Sequence, residues 1–494
     1  MGKLKQTVID KTPRLYTVVV GGMLAILLLL FSVRVNIKET IIAASVLVVG
    51  VSLLHKLKIG HNLASIKRIP LFLFLAAFIT RYSYCCIFGP ITQQTSDFAV
   101  TLWEAECGSF VDMVGYYRVY LHKFFYPFLL HTLGFRTQDA IFFLQCIFTA
   151  FVPVVIYYIW EKITPNSRIG CIAAVVYIIW PGQLFYATVI TEEHLAALVT
   201  VLIVFFLLDL VQTIEQEEQL SRNRKKILAK FVIVGSLCGV SAFLKDWALI
   251  ILVAIIPCVL YLLVIYKKQQ RIILFVGIIL ILLARSAVQT GGAMLAERKL
   301  GVKANNQIIA SEMYVSLDPN GNGLWDPERL GEYQQMVQEH DYDFDAANRE
   351  AMQEIVRRIK ENLDKMPSFL LYKGTHAYGD DEELLAWPLD YSMNPDYHQY
   401  FIANIYLWKS ISKLFYAFVV ACLCISAVTL RNRYIFFIEL ISVGAILSGL
   451  LIECQGRYKY SIEPLWCLLV ANAIYILMHI KSRKEIRSPE LQTG

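Results

Sequence analysis

The stretch that decides the fold is IPLFLFLAAFITRYSYCCIFG, residues 69–89. It carries one charged side chain, Arg81, and it has the length that a helix needs to cross roughly 30 Å of hydrocarbon, about 20 apolar residues. The polar stretch QQTSDFAVTLWEAE, residues 93–106, follows directly and contains Asp97, Glu104 and Glu106. The pattern predicts a membrane-spanning helix that ends beside an acidic loop.

The composition extends this prediction to the whole chain. Of the 494 residues, 57% are hydrophobic and 17% are charged, with a mean hydropathy of +0.53. A soluble protein cannot bury so much apolar surface. We therefore expect an all-α polytopic membrane protein with about twelve transmembrane helices, predicted near 15–33, 39–55, 69–88, 138–160, 169–187, 194–211, 228–244, 247–266, 272–289, 405–429, 434–452 and 461–480.

The basic residues predict the orientation of these helices. Lys and Arg cluster in alternate loops, as at Lys56 and Lys58, at 222–226 and at 481–484. Because such residues are retained on the cytoplasmic side, both termini are expected there, in a multi-pass protein of the plasma membrane. The net charge of +6 is explained by this bias, and no nucleic-acid partner is expected.

Two long segments then fall on the extracytoplasmic side and divide the chain. A first loop, 89–137, belongs to a transmembrane module at 1–289 and includes an interfacial helix; an outer, mainly helical module spans 290–404; the last helices occupy 405–494. In the outer module, Met352, Val356, Ile359 and Leu363 form an apolar stripe at helical spacing, which predicts that this face packs inward.

A turn at 318–329 in the outer module resembles an EF-hand loop. Asp318, Asn320, Asn322, Gly323 and Asp326 occupy suitable positions, but Arg329 stands where the bidentate Glu should be. A structured turn without calcium is the preferred interpretation.

Asp97 is the main candidate for chemistry in the first loop. A carboxylate just outside a span is partly desolvated and can act as a general base toward a hydroxyl. The alternative is that Ser96 or Asp97 only caps the following helix. Glu104 lies two helical turns further on, on the same face, as a candidate helper or metal ligand.

Glu192, Glu193 and His194 form a second candidate group at a later outer turn. Charges so close to the bilayer are costly unless they are used, so a divalent cation is a candidate cofactor there. Three consecutive residues cannot all point one way on a helix, however, and the metal assignment stays open.

Two further outer turns carry basic residues against the cytoplasmic trend. SAFLKDWALI places Lys245 beside Asp246 and Trp247, and QGRYKYSIEPLW places Arg457, Tyr458 and Lys459 together. A guanidinium flanked by tyrosines suits a phosphate, because its fork can donate two charge-assisted hydrogen bonds. Interfacial anchoring and a local Lys–Asp pair are the alternatives.

The chain contains, in this order, the outer Asp, the acidic turn, GVSAFLKDWALI and QGRYKYSIEPLWCLL. Together, these motifs resemble those of GT-C membrane glycosyltransferases. The similarity is to bacterial members of glycosyltransferase family 39, the dolichyl-phosphate-mannose-protein mannosyltransferase type. It implies an inverting transfer of a sugar from a polyprenyl-phosphate donor to a glycan, lipid or protein acceptor at the extracytoplasmic face.

The resemblance also implies residue roles. Asp97 matches the catalytic base, while Arg457 and Lys245, with Tyr458 and Lys459 beside them, would hold the lipid phosphate. Phe98 stands where an acidic residue often follows the Asp, and Lys245 stands where Arg is common. A transporter or lipid flippase, and a polysaccharide polymerase or ligase, remain alternative classes.

Overall fold

We analysed a computed structural model of the chain, which describes residues 19–31, 68–216, 224–305, 307–321, 323–391, 395–428, 432–453 and 455–487, with backbone only at 395–404 and 480–487. The described part is all-α and contains no β-strand.

The helices are numbered in chain order within the described ranges. They are α1 Val19–Phe31, α2 Ile69–Phe88, α3 Ser96–Cys107, α4 Val114–Val119, α5 His122–Leu133, α6 Gln138–Ile163, α7 Ser167–Ile179, α8 Pro181–Phe185, α9 Glu193–Glu215, α10 Arg224–Ser241, α11 Trp247–Ile265, α12 Lys268–Leu300, α13 Ile309–Ser316, α14 Pro327–Glu339, α15 Phe344–Glu361, α16 Met366–Tyr378, α17 Glu382–Ala386, α18 Pro395–Val428, α19 Arg433–Leu451 and α20 Glu463–Arg487.

Within these ranges, seven helices are long and apolar enough to cross a membrane, and the bent pair 167–188 makes an eighth if it forms one span. The protein is thus an all-α membrane protein, but the described spans do not reach the predicted twelve. Helix α10 does not count among them because Arg224, Lys225, Lys226 and Lys230 lie in it. Within the described residues, α1 and Glu463–His479 are apolar but shorter than a span. The span predicted at 39–55 lies outside the described residues.

Helix α20 is the central element of the bundle. Its side chains from Leu465 to Ala471 are fully buried, as expected for a helix that is apolar all round and surrounded by protein. It packs against α6, α7, α18 and α19, while α6 also packs against α2 and α9. This arrangement brings the loop ends of distant spans to one side of the bundle.

The first loop and the outer module pack against each other. Val119 and Tyr120 of the loop join a core with Tyr333 and Phe344 of the module. The backbone N–H of Asn305 donates to the carbonyl of Arg118 at 2.7 Å. Asn305 follows α12, which continues unbroken beyond residue 289 to Leu300.

Two predictions about the loops and the module can be compared with this structure. The predicted interfacial helix is divided into α4 and α5 around Tyr120. Of the predicted apolar stripe, Met352, Val356 and Leu363 are exposed, so the prediction that they pack inward is wrong, whereas Ile359 is partly buried against the core of the module. The buried face of α15 carries Phe344, Ala347, Ala351 and Ile355, and α15 packs against α13 and α14.

The EF-hand-like turn is a structured turn, as predicted. Arg329 forms an ion pair with Asp318 at 2.7 Å, so the arginine occupies the carboxylate that calcium would require. Asn322 lies outside the described residues.

Candidate functional site

A large cavity, of about 1520 Å³, lies between the helix ends and the outer module. Its walls come from α3, α5, the α10–α11 turn, α13, α15 and the segment after α19. The sequence candidates that line it are Asp97, Lys245, Arg457 and Tyr458. Residues from both ends of the chain therefore meet at one site.

Asp97 lies in the first turn of α3, beside an unusual backbone conformation. Ser96 has φ +53°, a left-handed conformation that is uncommon for a residue with a side chain and that often marks functional sites. The N-cap of α3 is Thr95, and it makes no side-chain capping bond. The capping alternative for Ser96 and Asp97 is therefore wrong, and the Asp97 carboxylate faces the cavity.

Two cations flank the Asp97 carboxylate. The Lys123 ammonium lies 3.5 Å from its Oδ2, and the Arg457 guanidinium lies 3.8 Å from the same oxygen. Burial alone would raise the pKa of Asp97, but Lys123 and Arg457 outweigh burial and hold this pKa below its usual range. The carboxylate is thus ionised at neutral pH and can accept a proton.

Lys123 also binds Glu192, whose Oε1 lies 2.8 Å from its ammonium. Burial opposes the charged form of Lys123, yet Glu192 and Asp97 raise its pKa above the usual range, so the lysine stays protonated. The same contact lowers the pKa of Glu192 against the effect of burial. Glu192 therefore acts as the counterion of Lys123.

Arg457 is held in an aromatic setting. Its guanidinium lies 4.8 Å from the ring of Phe98 and 4.9 Å from that of Trp387, and its Nε donates to Gln455. The turn that carries it, Gly456–Ser461, is fixed because Gly456 N–H donates to the Glu383 carboxylate. A side chain at Gly456 would collide with that carboxylate.

Lys245 completes the cationic part of the cavity. Its ammonium lies 3.8 Å over the ring of Tyr458 and 3.7 Å from Glu193. The alternative Lys245–Asp246 pair is wrong, because Asp246 binds Arg285 at 2.6 Å. Lys245 is thereby left facing the cavity, where burial and the nearby Lys123 lower its pKa.

Glu192, Glu193 and His194 point in different directions. Glu192 meets Lys123 and Glu193 meets Lys245, whereas His194 uses both ring nitrogens, on Tyr460 Oη at 2.8 Å and the Val189 carbonyl at 3.0 Å. Within the described ranges, no group of three His, Cys, Asp or Glu side chains is placed to hold a metal ion. His194 instead contacts Tyr460, a tyrosine of the turn that carries Arg457.

Two other candidates lie away from the cavity. Glu104 is fully buried and its Oε2 accepts the backbone N–H of Phe110 at 2.8 Å, so it holds the loop after α3. The Lys459 ammonium is buried against the carbonyls of Ala377 and Asp380 and lies 3.3 Å from Asp381. Neither side chain contacts Asp97.

Charged residues that line the cavity but were not among the sequence candidates are Lys123, Asp246, Arg285, Glu312, Asp345, Arg349 and Glu453. Burial, and then the neighbouring Glu453, raise the pKa of Glu312 to about 8. Lys123 had a detectable signal, since a lone lysine among the aromatic residues of HKFFYP needs a counterion.

One wall of the cavity is apolar. Trp247, Ile250 and Leu249 of α11 face Leu451 and Ile452 at the end of α19. The cavity thus joins a cationic pole, beside a carboxylate, to a hydrocarbon-lined flank that starts from two spans. Such a site fits an amphiphile with an anionic head.

Comparisons of this chain with protein-family models, with curated proteins and with solved structures found no match.

Proposed function

We propose that the protein is a membrane glycosyltransferase of the GT-C type, similar to family 39, that transfers a sugar from a polyprenyl-phosphate donor to an acceptor. The observation that supports this most is the placement of one carboxylate, Asp97, between Lys123 and Arg457 in a cavity with an apolar wall. A base beside a phosphate-sized cationic pocket is what such a displacement requires.

The donor phosphate would bind to Arg457, Lys245 and Lys123. Arg457 offers a planar fork for two oxygens, and the lysines offer point charges. Tyr458 packs against Lys245 and would orient its ammonium. The polyprenyl chain would lie along the apolar wall at α11 and α19, where it can continue into the bilayer.

The reaction would be a single displacement with inversion. The acceptor hydroxyl gives its proton to the Asp97 carboxylate as its oxygen forms a bond to the anomeric carbon. The bond from that carbon to the phosphate oxygen breaks, and polyprenyl phosphate leaves with the electron pair. The cations stabilise the negative charge that develops on the leaving phosphate.

The proposal places the cavity at the extracytoplasmic face of the plasma membrane, with both termini cytoplasmic. The alternation of basic loops supports this orientation. On the same proposal, α1, α10, α20 and the predicted span 39–55 complete a twelve-helix arrangement. The acceptor is a glycan, lipid or protein that reaches this face.

Binding of a defined lipid tests the proposal. The purified full chain in nanodiscs is titrated with undecaprenyl phosphate, undecaprenol and inorganic phosphate. We expect undecaprenyl phosphate to bind at least tenfold more tightly than either fragment, and Arg457→Gln to weaken it about tenfold or more. The control variant is Arg357→Gln, an exposed arginine on α15. Equal binding of undecaprenol and undecaprenyl phosphate would overturn the proposal.

A further inference from the structure

The cavity has a second side that the donor does not use. The cationic pole and the apolar wall lie toward the helix ends, whereas the opposite side is formed by the outer module, through α15 and the segment before α14. At about 1520 Å³, the cavity exceeds the range of roughly 300–1,000 Å³ that holds a single small ligand. This leaves room for a second molecule beside the donor head group.

Trp325 is the main feature of this second side. It lines the cavity and yet is 41% exposed, although a tryptophan normally buries its large ring. The ring of Tyr120 lies 6.3 Å from it, tilted by 45°. The packing of the fold therefore leaves one face of Trp325 open to the cavity.

Side-chain contacts hold the chain on both sides of Trp325. Before it, the Asp318 carboxylate accepts the N–H of Asn320 at 2.9 Å and pairs with Arg329. After it, the Asp326 carboxylate caps α14 through the N–H of Glu328 at 3.0 Å. These contacts fix the segments on either side of Trp325.

Polar side chains of α15 line the same cavity as the tryptophan. Asp345, Arg349 and Gln353 are spaced by four residues, so they share one face of the helix, and all three line the cavity. In the described part of the structure, no ion pair or hydrogen bond occupies the side chains of Arg349 and Gln353. The opposite face of α15 already supplies the packing of the module, so the fold does not require this polar face.

We propose that Trp325 and the polar face of α15 form the subsite for a carbohydrate acceptor. A sugar ring has an apolar face that stacks on an open aromatic ring and a rim of hydroxyls that bind carboxylate, guanidinium and amide groups. The inference rests on the proposed function, because it assigns the second substrate of the same cavity.

Saturation-transfer NMR tests the subsite on the full chain in nanodiscs. The probe is the water-soluble glycan fraction released from the envelope of cells that make the protein. We expect saturation transfer with the wild type, a loss of affinity of about tenfold or more in Trp325→Ala, and retention in Trp325→Tyr. Trp103→Ala is the control, since Trp103 is 38% exposed but does not line the cavity.

Titration with undecaprenyl phosphate separates this inference from the proposed function. Trp325→Ala should bind undecaprenyl phosphate like the wild type. The subsite is contradicted if Trp325→Ala binds the glycans as tightly as the wild type, or if the wild type shows no saturation transfer to the glycan fraction. Failure of the wild type to bind undecaprenyl phosphate would instead overturn the transferase proposal.

Discussion

The carboxylate of Asp97 lies 3.8 Å from the guanidinium of Arg457, although the two residues stand near opposite ends of the chain. Asp97 belongs to the first loop after α2, and Arg457 belongs to the turn between α19 and α20. The packing of the chain brings these two loops to one cavity. A base and a phosphate-binding cation are thus neighbours across one cavity.

Removing Lys123 should change the pH dependence of transfer. Because Lys123 lowers the pKa of Asp97, Lys123→Met should raise that pKa. Asp97 would then become protonated at a higher pH. The acidic limb of the pH profile of kcat/KM should therefore shift to higher pH. Lys303→Met, at an exposed lysine outside the cavity, is the control. An unmoved acidic limb in Lys123→Met would contradict Asp97 as the base.

Glu312 should make donor binding sensitive to alkaline pH. With its pKa raised to about 8 by burial and by Glu453, Glu312 is neutral below this pH and anionic above it. A new negative charge in the cavity repels a phosphate, so the affinity for undecaprenyl phosphate should fall several-fold as the pH rises through 8. Glu312→Gln should remove this decline, and Glu328→Gln, at an exposed carboxylate, should not. The same decline in Glu312→Gln would exclude this explanation.

Glu104 should prove structural. Since its carboxylate accepts the N–H of Phe110, Glu104→Gln keeps an acceptor oxygen and should retain transfer within a few-fold. Glu104→Ala leaves that buried N–H unpaired and should lower the free energy of unfolding by about 1–3 kcal/mol. Thermal unfolding and transfer rates measured on the same preparations separate these effects. If Glu104 were a catalytic helper, Glu104→Gln would instead lose most of the transfer rate while the stability of the protein stayed unchanged.

Lys459 should matter for stability through Asp381. Both side chains are buried, so Lys459→Met leaves an uncompensated carboxylate and should cost about 3–5 kcal/mol. The double variant Lys459→Met/Asp381→Asn removes both charges and should recover part of that loss. Thermal unfolding in detergent measures each variant. Equal stability of the single and double variants would show that the pair does not hold the arginine turn in place.

Hydropathy predicted most of the described spans, because a helix in hydrocarbon must be apolar over its whole length. It did not settle the case of α10, whose first turns carry four basic residues. Asp97 and Arg457 were proposed as site residues from their residue types and their positions in the sequence. Their distance was not predictable, because it depends on how the helices pack.

The directions of side chains within one turn could not be predicted either. Arg457 and Lys459 are two positions apart, yet one faces the cavity and the other is buried against Asp381. On a short 3-10 turn the direction of each side chain depends on the neighbouring α16 and α17. No single-sequence pattern contains that information.

The most direct test of the central claim is sugar transfer by Asp97→Asn, with a native polyprenyl-phosphate sugar as donor. We expect the rate to fall by about 10²–10⁴, while undecaprenyl phosphate still binds and the protein unfolds at an unchanged temperature. Asp112→Asn, an exposed carboxylate of the same loop, should transfer at the wild-type rate. Full activity in a folded Asp97→Asn variant would contradict the account.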